Sequence, residues 1–527
     1  MTNPAGTEAS SRARRFGILD LGSTTFQLLV ADGDETGSLT PVLRDRVVLN
    51  LGLVLADQGR IPSDVAARAA ATARRLREVA MHGGADEIVA IATSALRDSP
   101  NRSELDRLLE DSLGMPVEFI DGREEARLTF AGVRASVALE PGAAVLLDLG
   151  GGSLEVALAD GNGLRWGMSL PVGAGRLTGL LVSADPPSRS DRKAIRRAVE
   201  EAMAPIAERI EGDVGRCVAS GGTAGALTRL LAARRWTTLP ASLNQMVVPM
   251  EDLSAISSEL GSLTLAQRLR LPGIDERRAE LLPAGGWILT AAARVLGAQE
   301  LIHSEWGLRE GIVLDRLGLA DLPAPTPADL RRRSVERLVA GWSVDVRHPA
   351  LVGRLAGELL DGLAELHDLN ARDRELLVHA ALLHEIGNAI SPGRYHKHGA
   401  YLVENGGLRG FGPDEIAVIA SIVRFQRGKE PRDVYAPFRD LPAARRDATV
   451  LLTGILRLTH AIGRGDEPET IGTEVEVRPK TIRIGVVGSN HPDAVIEEAL
   501  AAAPLLERSL GRVVELTARH PTSVAAS

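Results

Sequence analysis

Short apolar runs and longer helical stripes alternate along the first three-fifths of the chain. Phe16–Leu19, Phe26–Ala31, Glu87–Ala92, Val117–Ile120, Ala143–Leu147, Trp166–Ala174, Arg216–Ala219 and Glu300–Ile302 read as strands. Between them Ser63–Met81, a helix from Asp121 to about Leu139, Ser190–Ile210 and a stretch ending at Val295 carry helical periodicity. A proline-rich connector, Leu322–Pro327, then changes the pattern: Asp329–Ala340, His348–His367, Asp373–Ile386 and Pro413–Arg424 are all helical. Val475–Val487 reads as a strand pair and Pro492–Leu510 as a helix. The pattern predicts an α/β region followed by a mainly helical one.

Two of the apolar runs end in the same way. Asp20 to Gly33 aligns without a gap on Asp148 to Gly161, each copy being strand, Asp-Leu-Gly loop, second strand and Asp-Gly turn. A buried strand that breaks into glycines presents bare backbone N–H groups, a means of cradling phosphate. A third such turn, Ser220-Gly221-Gly222-Thr223, follows the apolar run at Cys217. Gly22, Ser23, Thr24, Gly151, Gly152, Ser153, Gly222 and Thr223 are therefore the phosphate-binding candidates, and two related lobes are expected to face each other across a cleft.

Composition narrows the partners. The 527 residues are 44% hydrophobic and 25% charged, as in ordinary globular proteins, with room for several domains. A net charge of −8 leaves no polycationic footprint for nucleic acid. Cys217 is the only cysteine, which excludes an internal disulfide and a cysteine metal cluster and fits a reducing, cytoplasmic setting. No apolar run approaches the length of a membrane span, and the polar residues 1–15 read as a disordered tail rather than a signal peptide.

Single residues add chemistry. Arg97, just past a strand end, reads from the residues alone as a surface salt bridge, the other reading being a fork that holds a phosphate. Asp121 is a natural N-cap and Glu124 completes a capping-box spacing, which leaves Glu125 over. Glu125 either complements the helix dipole or serves as a general base toward a water beside a bound phosphate. His303 and Arg309 read either as ligand groups or, the favoured account of each, as packing or a surface pair.

Asp20-Leu21-Gly22-Ser23, Ala92 to Arg97, Gly122 to Leu128, Asp148 to Glu155, Ser220 to Thr223 and Gly307 to Gly311 together resemble the exopolyphosphatase/guanosine pentaphosphate phosphohydrolase (Ppx/GppA) family of the actin-like ATPase superfamily. The resemblance implies two ribonuclease-H-like lobes, at 16–138 and 139–318, with the end of the second free to pack on the first. It implies Glu125 as catalytic base, Arg97 as a phosphate ligand, and Mg²⁺ on Asp148 and Glu155 with Asp20 nearby. Thr24-Thr25 and Gln27 depart from the family's usual residues, which touches fine specificity rather than reaction class.

Beyond a linker at 319–328, residues 329–470 resemble an HD-type metallohydrolase bundle, as in the longer members of that family, and 471–527 form a small α+β segment. His384-Glu385, with His348 upstream, matches the HD pattern, but Gly463 stands where a closing acid is expected, so an accessory domain with eroded ligands is the favoured reading. Arg394, Lys397, Arg424, Arg427 and Lys429 form a cationic stretch, read as a solvated loop or as a track for a polyanion. The expected partners are inorganic polyphosphate or guanosine pentaphosphate and a second copy in a homodimer, with no nucleic acid and no membrane. Hydrolytic release of terminal orthophosphate from polyphosphate is the leading reading. Its rivals are guanosine pentaphosphate hydrolysis, an ATP-driven actin-like machine or kinase, and a non-catalytic polyphosphate or alarmone sensor.

Overall fold

A computed structural model describes the chain apart from residues 1–12, 140–141, 161–162, 211–213, 215, 275, 324, 343–344, 465–471, 488–491 and 520–527. It divides into two compact units, Met1–Arg234 with Leu243–Pro327, and Arg235–Ser242 with Ala328–Ser527. No helix among the described residues is long and apolar enough to cross a membrane.

The first unit contains one plan twice. Strands β1 (Arg14–Leu21), β2 (Thr25–Gly33) and β3 (Leu39–Val48) form an antiparallel meander, and β4 (Glu87–Ala92) and β5 (Glu118–Phe119) extend it in parallel in the order β3-β2-β1-β4-β5. In the second sheet β6 (Ala144–Leu149), β7 (Leu154–Asp160) and β8 (Gly163–Leu170) form the meander. Strands β9 (Arg216–Ser220) and β11 (Glu300–His303) extend it in parallel, with β10 (Val247–Pro249) on the edge, giving β8-β7-β6-β9-β11-β10. The aligned hairpins even share their irregularity: the register shifts between Val30 and Ala31 and between Leu158 and Ala159, which are aligned positions.

Parallel strands need crossover helices, and these fix the layers. Ser63–His82 lays Ala66, Ala69, Ala70, Ala73, Leu76 and Ala80 on one face of the first sheet. The helix Gly122–Arg134 lies between the sheets: Leu128 packs with Ile18 and Ile91 of the first, while Ala126, Phe130 and Val133 pack with Leu146 and Val218 of the second. The helix Leu308–Arg316, later in the chain than either sheet, packs on it and on the first sheet through Ile312 and Val313. Contact between these two helices is backbone to backbone, since a Cβ on Gly311 would lie 1.7 Å from the Leu128 carbonyl oxygen.

Some elements differ from the sequence pattern. β1 begins at Arg14 rather than Phe16, because the Arg15 guanidinium is neutralised by Asp32 and donates to the Gly83 carbonyl. Residues 1–12 of the expected tail lie outside the described residues. The interlobe helix stops at Arg134 rather than near Leu139, and the Arg134 side chain donates to the carbonyls of Leu319, Ala320 and Leu322. Asp121 caps it through the N–H groups of Arg123 and Glu124, but the Glu124 carboxylate does not complete a box; it forms a two-pronged pair with Arg127 at 2.8 Å. A guanidinium fork outcompetes a single backbone N–H for a carboxylate.

The second unit is a helical bundle with a small sheet. Pro327–Ala340, Arg347–Gly362, Ala371–Leu383, Tyr395–Asn405, Pro413–Phe425 and Ala443–Ile462 enclose a core that includes Val352, Leu355, Leu377, Ile419 and Ile455. The first of these starts inside the expected linker. Strands β12 (Gly472–Val477), β13 (Thr481–Val487) and β14 (Val513–Arg519) form the sheet, and Ile482, Ile484, Val486, Leu506 and Val514 belong to the same core as the helices. The expected single helix breaks at Pro504 into Pro492–Ala502 and Pro504–Leu510, and β14 was not anticipated.

Gly311→Ala should destabilise the first unit by about 1–3 kcal/mol, because neither backbone can yield without opening the helix pair. Gly472→Ala, whose Cβ would meet nothing within 4 Å, should change little. Chemical denaturation of the two variants beside the parent checks this.

Candidate active site

The paired hairpins set the site. In the first, Asp20 lies opposite Gln27; in the second, Asp148 lies opposite Glu155. Each loop is closed alike, Gly22 N–H to the Thr25 carbonyl at 3.2 Å and Gly150 N–H to the Ser153 carbonyl at 3.0 Å. Each is also backed by a short helix. The carbonyls of Ser23 and Thr24 accept N–H groups of Gly52, Leu49 and Asn50 at the start of Leu51–Gln58. Those of Gly150, Gly151 and Gly152 accept Ala174, Arg176 and Gly173 at the start of Ala174–Leu181. With these carbonyl groups engaged behind them, Gly22, Ser23, Thr24 and Gly150 to Ser153 line a cavity of about 190 Å³.

The two loops touch, and glycine is what lets them. A Cβ on Gly151 would lie 1.7 Å from Thr24 Oγ1, and one on Gly152 would lie 2.3 Å from Ser94 Oγ and 2.5 Å from Ser23 Oγ. The third turn completes the lining: β9 ends at Ser220, and Gly222 and Thr223 open the helix Gly221–Arg235 at the cavity. A helix N-terminus favours an anion there.

Four carboxyl groups share this cavity, those of Asp20, Glu125, Asp148 and Glu155. Glu155 is 1%, Glu125 7% and Asp20 8% exposed, and Asp148 is half-buried. Each has a neutral or cationic neighbour. Ser169 donates to Glu155 at 2.7 Å, Ser220 to Asp148 at 2.7 Å, and Gln27 to Asp20 at 3.3 Å; Arg97 Nη1 reaches Glu125 Oε2 at 3.2 Å. Burial, with mutual repulsion, nevertheless dominates. It raises Glu155 to about 7, with Asp148 as the next cause, and Asp20 to about 6, against the opposing pull of Arg309. Glu125 is raised well above the usual carboxylate range by burial and then by Glu155, and Asp148 is raised by burial.

Carboxylate oxygens are the donors a hard divalent cation takes, and Asp148 and Glu155, opposite each other on paired strands, with Asp20 lining the same cavity, could hold one.

Other expected residues are placed differently. Arg97 is no surface salt bridge: its side chain is 16% exposed, tied to Asp98, the Ile120 carbonyl and Glu125. It lines an adjoining cavity with Arg123 and Arg176, and that cavity shares Ser94, Gly152 and Ser153 with the first. The Ser23 hydroxyl is engaged with Ser94 and with the Ala95 N–H. Sequence reasoning passed over Arg46 and Arg278, which line the main cavity, and set aside Arg309, whose charge acts on Asp20 and Asp148. A guanidinium of Arg278 would lie 3.1 Å from a Cβ on Gly222, against the third turn. His303 is buried behind that turn, near Gly225.

The five cationic residues belong to the second unit. Arg394, Lys397, Arg427 and Lys429 are exposed, while Arg424 lies over the Tyr435 ring at 5.5 Å and Arg427 over Tyr395 at 5.9 Å. Arg424, Lys397 and Arg427 gather around His396, whose imidazole is lowered to about 4 by burial and then by these charges. Cys217 is buried, and burial pushes its thiol up to about 12, so it is inert.

Comparison with known proteins identifies the family. The Ppx/GppA phosphatase family profile matches residues 29–320, and that of Ppx/GppA phosphatase domain III matches residues 330–506. Exopolyphosphatase 1 of Mycobacterium bovis is 31% identical over 336 residues, covering 63% of this chain and 96% of the relative. An exopolyphosphatase structure from Cytophaga hutchinsonii shares the fold at TM-score 0.54 and 24% identity, over 58% of this chain and 98% of that one. The Aquifex aeolicus Ppx/GppA family member aligns at TM-score 0.50 and 25% identity, over 58% and 98%. The duplicated lobes are those of the actin-like ATPase fold, and the chain belongs to the Ppx/GppA phosphatase family, as a hydrolase of phosphoanhydride bonds.

Proposed function

We propose that the protein is an exopolyphosphatase, releasing terminal orthophosphate from inorganic polyphosphate with Mg²⁺ and with Glu125 as general base. The observation that carries this reading is the convergence of Glu125 and three further carboxyl groups on one cavity lined by three N–H-presenting turns. The name of the mycobacterial relative supports the substrate class.

In this account the N–H groups of Gly151, Gly152 and Gly222 and the hydroxyls of Thr24 and Thr223 hold the terminal phosphates, while the Ser153 hydroxyl hydrogen-bonds the Glu155 carboxylate. Arg97 keeps one oxygen of Glu125 and leaves the other to accept a proton. The oxygen of a water attacks the terminal phosphorus, its proton passes to Glu125, and the shortened chain departs as the phosphoanhydride bond breaks. A base whose pKa is raised by burial takes that proton more readily near neutral pH. Magnesium, when bound by Asp148 and Glu155, supplies positive charge that offsets charge on the transferred phosphoryl group. Phosphoryl transfer rests on positioning and electrostatics, so no covalent nucleophile is required.

Orthophosphate release, assayed side by side on long-chain polyphosphate and on guanosine pentaphosphate, tests the reading. Faster turnover of polyphosphate is expected; the reverse preference would make the protein an alarmone hydrolase. Glu125→Gln should lower kcat by about 10²–10⁴-fold with little change in KM. Unchanged turnover in that variant would contradict the assignment of the base, and a parent that binds polyphosphate without releasing orthophosphate would be a binding regulator.

The carboxyl cluster also predicts a pH dependence of stability. Asp20 at about 6 and Glu155 at about 7 lie above their unfolded values, so the folded state is favoured by protonation. That contribution is full at acid pH and is lost as pH rises through 6 to 7. Burial lowers His384 to about 3 and His460 to about 2, and those groups act with the opposite sign. The readout is therefore the difference in Tm between parent and Glu155→Gln in chelator: the variant should gain on the parent between about pH 5 and pH 8, and Mg²⁺ should erase the gain. A pH-independent difference would contradict the assignment.

A further inference from the structure

Three helix ends of the second unit converge on one point in its core. His348 lies in the first turn of Arg347–Gly362, His384 follows the last turn of Ala371–Leu383 with Glu385 next to it, and His460 lies in the last turn of Ala443–Ile462. One donor atom from each of these four residues lies within 4.8 Å of the other three. The Nε2 atoms of His384 and His460 are each 3.9 Å from Glu385 Oε1, and the His384 and His460 ring centroids are 4.7 Å apart.

The orientation of His384 is what a ligand needs. Its Nδ1 is 2.6 Å from the Ala381 carbonyl oxygen, which can only accept, so the proton sits on Nδ1 and the Nε2 lone pair is bare. That ring is 0% exposed, and its Nε2 has no hydrogen-bond partner. A buried acceptor left alone costs free energy, and here it faces two more imidazoles and a carboxylate. Rings packed only for their apolar faces would have no reason to turn their nitrogens toward one another and toward an acid.

The geometry points to a second cation site, formed by His348, His384, Glu385 and His460 and taking a single divalent first-row transition ion such as zinc. Three imidazole nitrogens and one carboxylate oxygen are a borderline-soft set that suits zinc, and magnesium poorly. Tetrahedral donors at zinc bond lengths stand about 3.4 Å apart, so the observed separations close by small side-chain rotations. The expectation of eroded ligands rested on Gly463; His460, one turn earlier on the same helix, supplies a donor instead. An ion held there would tie three helix ends together, and it is independent of whatever the first unit hydrolyses.

The test uses the full-length chain, stripped with chelator, dialysed, and titrated with Co²⁺ or Zn²⁺ in excess Mg²⁺ to occupy the oxygen site. The parent should hold one transition ion per chain, with cobalt giving visible d–d bands that zinc abolishes. His384→Ala and His460→Ala should weaken binding by about 100-fold or more, and Glu385→Gln, a milder change, by about 10-fold or more. Asp148→Asn should keep full affinity. Failure of the correctly folded parent to hold either ion would overturn the proposal, as would equal affinity in a Glu385→Gln variant with unchanged circular dichroism.

Discussion

Four carboxyl groups around one small cavity, three of them buried, constrain the rest of the first unit. Repulsion and desolvation together oppose that arrangement unless something holds it. Ser169, Ser220, Gln27 and Arg97 each hold one member, and the strand register that opposes Asp148 to Glu155 fixes the spacing. The raised carboxyl values are what remains uncompensated, and they mark the place where a cation and a proton-accepting base are of use.

Duplication explains how such a site is built. Two hairpins of the same register place two loops face to face, each backed by a short helix that engages its carbonyl groups. The copies then diverge where it matters, with Gln27 opposite Asp20 and Glu155 opposite Asp148. Glu125 comes from neither hairpin. It is delivered by the helix wedged between the sheets, whose position depends on the glycine contact with Leu308–Arg316. A packing contact remote from the cavity thus sets the placement of Glu125.

Much of this is legible in the residues. The ungapped repeat from Asp20 and from Asp148 gives the two hairpins, because side-chain alternation admits only one register, whereas the matched register shifts arise against β3 and β8, outside the repeat. Glu125 stands out in the sequence because a capping box accounts for Glu124, a reason the structure removes, since Glu124 pairs with Arg127 instead. Other parts leave no local trace. Arg46, Arg278 and Arg309 reach the site from elements distant in sequence, and the backing helices of 8 residues each are too short to show a period. β3 reads as polar because it is an edge strand, and β14 was hidden behind the expected terminal helix. In the second unit, judging the histidine cluster by a missing acid at Gly463 overlooked that one helical turn brings His460 to the same end of the helix.

The inequality of the two loops is the central claim, and the magnesium requirement of orthophosphate release measures it most directly. If the second loop carries the metal, Glu155→Gln should raise the Mg²⁺ concentration for half-maximal activity by about 100-fold, while Thr25→Ser, on the first loop, should leave it unchanged. An unaltered Mg²⁺ requirement in Glu155→Gln would contradict the account.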